Sequence, residues 1–432
     1  MPFIRTIVPI LFLFILSSCN FSDEPSSTQD RLNMYLIDAS VKEVYLRVSP
    51  GNRFRDIYVT LQRNNLPVQT FRVNKDTVIC DTALSGGTTY TYQLTEGKSG
   101  TLEKLSEKVM ATTLTPTSHN ISWQTFDFGI GNMDQALDVS IIDENNVWVS
   151  GDFTVREAGE DKYYNLLKWD GSKWTYEVAE NEREGYYYGV LYSIFSFSKS
   201  DIWVGNNTPG HWAGDKWNFY GVETGYPKPT GRLRKIWGTN SSNMYFAGED
   251  GSVVKYDGKS WRLLNAGSIG YTADMCGYKD ELTGEEVVYC PYSINYNPML
   301  SKVIRITSRP NSIEKVELIG FPDEMVPLTV WTHKGYPVYA GGSGLFYYTQ
   351  DRWKDAGLKT DKYIQLVRGN ALNDIFVTGW GLLAHYNGIE WKTYEEFSGS
   401  WDAIFSMDVK GNTIAVVGIH NGRVAVAIVK RN

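Results

Sequence analysis

The sequence predicts an all-β chain in which a small sandwich is followed by a seven-bladed β-propeller, with six or eight blades as the neighbouring counts. The first observation is the stretch from Leu233 to Leu264, LRKIWGTNSSNMYFAGEDGSVVKYDGKSWRLL, which reads as four short apolar strands separated by turns. The second is that its centre recurs. A strand with an aromatic or β-branched pair ending in a small residue appears as VWVSG at Val147, IWVGN at Ile202, MYFAG at Met244 and VVYCP at Val287, then as PVYAG at Pro337, IFVTG at Ile375 and IAVVG at Ile414. The third is the aromatic load of 14 Trp, 28 Tyr and 18 Phe, which suits strands packed face to face.

Each copy has an apolar strand ahead of it, from ALDVSII at Ala136 to WDAIFSM at Trp401. Behind most copies comes a turn and then a tryptophan, as in WDGSKW ending at Trp174, YDGKSW at Trp261 and YNGIEW at Trp391. Asp-Gly and Asn-Gly mark such turns because Gly accepts positive φ without a steric cost. Each unit is thus a four-stranded meander. The last unit, from Trp401, supplies three strands before the chain stops. Ile121 to Phe126 (ISWQTF) matches the outer-strand pattern IEWKTY at Ile389 to Tyr394, so residues 121–432 are expected to form one ring closed by the N-terminal strand, which removes the open sheet edges.

Upstream, residues 32–113 alternate in β fashion through VYLRVS at Val44, DIYVTLQR at Asp56, VQTFRV at Val68 and TTYTYQL at Thr88. That is the length and strand spacing of an immunoglobulin-like sandwich. With Leu84 six residues before Tyr90 in LSGGTTY, this segment resembles a fibronectin type III domain, and the resemblance implies that the Tyr90 hydroxyl bonds back to the preceding turn. The usual Trp of the second strand is absent, with Tyr45 and Leu46 in its place. Residues 114–120 read as a linker, and Cys80 as a buried apolar residue.

The N-terminus, MPFIRTIVPILFLFILSSC, has one charge at Arg5, an apolar run and small residues before Cys19. Residues 1–18 read as a secretory signal, too short to span a bilayer. Leu16-Ser17-Ser18-Cys19 resembles the bacterial lipobox, which implies acylation of Cys19 and, for residues 19–31, a polar tether. Asn20 after the cysteine favours the outer membrane. Ser22-Asp23-Glu24 resembles the export signal of Bacteroidetes-type surface lipoproteins, the alternative being an ordinary solvated tether on a periplasm-facing protein.

A net charge of -7 with no basic run excludes a nucleic-acid binder. The four cysteines are too few for a disulfide scaffold. Cys276 and Cys290 lie equidistant from Thr283 in the hairpin tip DELTGEE, so they are expected opposite each other, as a disulfide or as two buried thiols. His119, His211, His333, His385 and His420 are scattered without metal-ligand spacing, and no nucleophile elbow, P-loop or dinucleotide fingerprint occurs. The WDGSKW and YDGKSW turns resemble the sialidase Asp box only loosely, with Gly directly after Asp. No cofactor and no metal is expected.

In a propeller the loops from second to third strand and from outer strand to next blade leave one face, where ligands bind around the channel. Here that face collects Tyr186, Tyr187, Tyr188, Asn206, Trp212, Tyr292, Tyr296, Trp380 and His420, aromatics beside polar groups, as stacking on a glycan or peptide requires. The leading expectation is a non-enzymatic envelope lipoprotein binding a glycan or an envelope protein. The rivals are a glycoside hydrolase or glycosyltransferase using Asp152, Glu184, Glu249 and Asp250, and a structural subunit of an outer-membrane complex.

Overall fold

The computed structural model describes residues 32–50, 56–96, 103–130, 134–181, 186–187, 189–227, 231–266, 270–294, 296–309, 312–322 and 325–432. Cys19, the signal segment, the tether and Glu184 and Tyr188 lie outside them.

Residues 32–113 form two packed sheets. One has the strand order Asn33–Ala39, Val44–Ser49, Thr77–Asp81; the other has Leu66–Val73, Ile57–Arg63, Thr89–Glu96, with Glu103–Lys104 and Val109–Thr112 both on the last. Alternation drives Leu46, Val48, Val59, Leu61, Tyr92 and Leu94 into one core between the sheets. The Ser85 N–H donates to the Tyr90 hydroxyl at 3.0 Å, a bond to the preceding turn of the kind the fibronectin type III resemblance implies.

From residue 135 the chain builds antiparallel meanders, here numbered I (135–177), II (193–219), III (233–266), IV (270–318), V (329–355), VI (364–393) and VII (401–431). Meander VII takes its fourth strand from Ile121–Phe128, which pairs with Arg423–Arg431 from Val424–Phe128 to Arg431–Ile121. The Asn432 N–H then reaches the Asn120 carbonyl at 2.8 Å, so both ends of the ring meet. Apolar clusters join neighbouring sheets, such as Val139, Val149 and Leu167 of I with Val417, Val424 and Val426 of VII.

The recurring turns have one construction. Asp170 accepts from the N–H groups of Ser172 and Lys173, Asp257 from Lys259 and Ser260, and Asn387 from Ile389 and Glu390. These bonds hold the Asp170 carboxyl down at about 2. The glycines that follow, Gly171, Gly258 and Gly388, have φ of 98°, 89° and 95°. The tryptophan after the turn then packs on the aromatic before it, Trp261 on Tyr256 at 4.4 Å and Trp391 on Tyr386 at 5.2 Å.

The small residue ending each core strand also has a cause. A Cβ on Gly151, Gly379 or Gly418 would lie 1.9, 1.8 or 2.0 Å from the carbonyl oxygen of Gln135, Tyr363 or Ala403 on the neighbouring inner strand. Those inner strands bulge beside these contacts, between Ala136 and Asp138, Ile364 and Leu366, and Ile404 and Ser406, and the inner strand of III bulges likewise between Leu233 and Lys235. A bulge needs close backbone approach and re-aims the extra side chain.

The sandwich is docked on the ring, at the face that carries the first-to-second and third-to-outer turns. Tyr45 packs edge-on to Tyr336 at 5.5 Å, and Tyr45, Ile37 and Cys80 share a cluster with Trp331, Tyr339 and Leu345. Arg47 pairs with Asp280 at 2.6 Å and His333 with Asp38 at 2.8 Å. The linker is tied in as well, Thr117 Oγ1 donating to the Asn373 carbonyl at 2.7 Å.

Hairpin IV corrects one expectation. Cys276 pairs with Tyr289, not with Cys290. The tip turn centres between Leu282 and Thr283, and a one-residue slip sends the two side chains to opposite faces. Cys80, Cys276 and Cys290 are free thiols.

Candidate functional site

On the face away from the sandwich the channel opens as a funnel of about 800 Å³. Its wall is made by the bulged residues Leu137, Arg234, Gln365 and Phe405, with Tyr271 on the inner strand of IV, Tyr192 and Leu328 just before the inner strands of II and V, Tyr296 and Trp380 from the loops, and Ile419 near the end of the second strand of VII. Trp380 is 60% exposed and Tyr296 57% exposed. Tyr296 leans on Tyr271 at 5.2 Å, and the Gln365 amide, oriented to satisfy both of its neighbours, accepts from Trp380 Nε1 at 2.6 Å. The two aromatic platforms are therefore fixed from behind while their faces stay open, the arrangement stacking requires.

The funnel has an ionic floor. Asp138 accepts from Lys235 Nζ at 2.8 and 3.1 Å, from Ser406 Oγ at 2.6 Å and from the Ile194 N–H at 3.1 Å. Asp274 accepts from Arg368 at 2.7 and 3.0 Å, from Thr329 Oγ1 at 2.6 Å and from the Val330 N–H at 3.1 Å. Every meander contributes a group to one of the two clusters. Burial alone would raise the Asp274 carboxyl, but the Arg368 charge and its hydrogen bonds outweigh that and hold it low. Asp274 occupies a break in the inner strand of IV, between Gly270–Tyr271 and Cys276–Lys279. Below the floor a second cavity of about 320 Å³ opens towards the sandwich side.

Beside the wall, Glu249 holds the lining residue Arg234 at 2.7 Å and stands 3.9 Å from Arg232. Both guanidinium groups lie over the Tyr192 ring, at 5.6 and 4.9 Å. Burial would lower the Arg234 pKa, and the bond to Glu249 more than offsets it.

Of the residues expected at the site, Tyr296 and Trp380 line the funnel. His420, the last residue of the second strand of VII, lies on the same face, 3.4 Å from Asp127 and 5.6 Å from the Trp401 ring. Asn206 is in the tight II turn, its N–H on the Thr208 carbonyl. Trp212 is a correction: the II turn is short, Gly205 facing Pro209, so the third strand carries Trp212 to the far end, where it pairs with Trp217 at 5.7 Å. Tyr292 is another: it is 8% exposed and packs where a Cβ on Gly270 would collide with its ring. Tyr186 and Tyr187 form a two-residue strand against Glu180 and Asn181. Of the carboxylates expected of the hydrolase rival, Asp152, Glu249 and Asp250 are not among the residues lining the funnel, and Glu184 lies outside the described residues. Asp152 faces Gln135 across the I pair, Glu249 is held by arginine, and Asp250 accepts from the Ser252 N–H at 3.0 Å.

Missed in the sequence were Tyr192, Arg234, Tyr271, Gln365 and Phe405. Their only signal is position, at or just before the start of each inner strand, where the copies disagree. Two histidines prove structural. His211 stacks on Trp203 at 4.2 Å and bonds Asp201, and His385 stacks on Phe376 at 4.3 Å and bonds Asp374, at equivalent places in II and VI. Ser241 also bonds Asp201, so this trio lacks the serine–histidine contact of a hydrolase. Among the described residues no cluster of three or more His, Cys, Asp or Glu is arranged to hold a metal, and no helix is long and apolar enough to cross a membrane.

No sequence family matches the chain, and no curated protein matches it. Solved structures do. YCF48 bound to a D1 peptide is 15% identical with a TM-score of 0.51, over 73% of this chain and 99% of that one. YCF48 from Cyanidioschyzon merolae is 14% identical with a TM-score of 0.49, over 70% and 98%. The extracellular domain of a putative one-component system from B. thetaiotaomicron is 12% identical with a TM-score of 0.49, over 71% and 40%. The likeness to the first, together with the successive four-stranded meanders, shows the fold of residues 121–432 to be a β-propeller.

Proposed function

We propose that this chain is a non-enzymatic binding protein of the cell envelope. In this reading a fibronectin type III-like domain is fixed beneath a seven-bladed propeller, and Cys19 is the acylated anchor at the outer membrane. The partner is a protein, seated at the funnel. One observation carries the reading: Trp380 and Tyr296 stay exposed on a funnel about 800 Å³ in size, at the one channel mouth the sandwich leaves free. Exposed aromatics backed by hydrogen bonds are typical anchors for a partner chain. YCF48, solved with a D1 peptide, is a precedent for a propeller that takes up a peptide.

The test is binding by the purified full chain to envelope proteins, peptide arrays and glycan arrays, beside the variant Trp380→Ala. A partner whose affinity falls tenfold or more in the variant supports the reading. Retention of glycans alone moves it to the glycan alternative, and turnover of a glycoside that survives the substitution overturns it.

A further inference from the structure

Two arginines and one glutamate meet at the funnel, Arg234 in its lining with Arg232 and Glu249 beside it. Arg234 gives one guanidinium nitrogen to Glu249, while its Nε is buried with no hydrogen-bond partner. Arg232, half exposed, reaches the same carboxylate only at 3.9 Å. The trio carries one more positive charge than negative. The floor below is balanced, with Asp138 on Lys235 and Asp274 on Arg368. Asp134, another carboxyl in the lining, is 7% exposed and accepts from the Thr154 N–H at 2.9 Å. Among the described residues the mouth thus offers aromatic and apolar surface with the Arg234 and Arg232 guanidinium groups at one side, held in place by the Tyr192 ring and Glu249.

We propose that the funnel takes a peptide segment by its carboxylate, the acid bonding Arg234 and Arg232 while an apolar or aromatic side chain beside it stacks on Trp380 and Phe405. A guanidinium fork with a free edge matches a carboxylate better than any neutral group, and the apolar wall matches the side chain next to it. This rests on the binding reading above and narrows it to a ligand class. The carboxylate can be the C-terminus of the partner or an Asp or Glu side chain, and the two are separable.

The experiment presents randomised peptides to the full chain in three forms: with a free C-terminus, amidated, and amidated with every Asp and Glu replaced by its amide. Binding confined to the first form assigns the C-terminus, and binding shared by the first two assigns the side chain. Loss of the carboxylate is expected to weaken retained peptides about ten- to a hundredfold, the range for one charged hydrogen-bonded group. Arg234→Gln should abolish that discrimination, Arg232→Gln on the exposed flank should reduce it, and Trp380→Ala should weaken acid and amide alike. If all three forms bind equally and Trp380→Ala weakens them all, the funnel still binds peptide and the carboxylate assignment falls. If no peptide binds while an acidic glycan does, the proposal is overturned together with the choice of a protein partner.

Discussion

The Cα of Gly379 faces the carbonyl oxygen of Tyr363 so closely that a Cβ would stand 1.8 Å from it. That approach shapes the bulge which turns Gln365 into the funnel, and Trp380 is the next residue along the chain. Gly379→Ala should therefore push the inner strand away. The expected cost is about 1–3 kcal/mol, as for overpacking elsewhere, with a drop in Trp380-dependent binding. Urea unfolding with tryptophan fluorescence measures both. A variant of unchanged stability would show that the inner strand yields freely.

Asp274 and Arg368 form a buried pair with side chains 1% and 12% exposed. Asp274→Asn keeps the shape and strands the guanidinium, and the expected loss is about 3–5 kcal/mol. The double replacement Asp274→Leu with Arg368→Met should recover much of it, because two buried charges are then removed together. Denaturant midpoints of the three variants decide this.

Acid should loosen the linker. His119 Nδ1 meets His385 Nδ1 at 3.0 Å, and the pKa of His119 is lowered first by burial and then by its neighbour. A depressed histidine contributes stability that is complete above its ordinary value of 6.5 and is lost as pH falls through the folded value. The wild type should lose more thermal stability between pH 7.5 and pH 5 than His119→Asn does.

The three thiols should behave as core residues. Burial pushes Cys80 up to about 12 and Cys276 up to about 11, and it raises Cys290 also. All three should resist alkylation near pH 8 until the chain unfolds, and reductant should leave the melting temperature unchanged. Mass spectrometry showing a Cys276–Cys290 crosslink would contradict the register.

Tyr45 is 2% exposed at the joint between sandwich and ring. Tyr45→Ala removes its contact with Tyr336 and should cost about 3 kcal/mol, by analogy with aromatic truncation in a core. The diagnostic result is calorimetric: one transition in the wild type, two in the variant.

Much of this fold was legible from local rules. The strand at Val44–Ser49 falls where alternation puts it, the Asp-Gly and Asn-Gly turns are built by the Asp170, Asp257 and Asn387 side chains, and Ile121–Phe128 pairs with the last strand. What stayed hidden depends on details beyond local pattern. Trp212 was misplaced because the length of hairpin II decides which end of a strand a side chain occupies, and Tyr292 because its ring is covered at Gly251 and Gly270. The Cys276 register hinged on one residue of turn geometry. Asp138 with Lys235 and Asp274 with Arg368 belong to different meanders, and the curvature of the ring brings each pair together. The funnel wall was invisible for a related reason, since a bulge reverses the in–out alternation at Arg234, Gln365 and Phe405.

The pairing of Ile121–Phe128 with Arg423–Arg431 also has a meaning in time. The two strands are about three hundred residues apart in the chain, so the first strand of the ring emerges during synthesis long before its partner exists. Until Arg423–Arg431 is made the ring is an open arc with two unpaired edges, and closure cannot precede synthesis of that strand. A chain lacking Arg423–Arg431 would have nearly all of its apolar core and no means of shutting it, which makes arrival of that strand the step that hides the open edges.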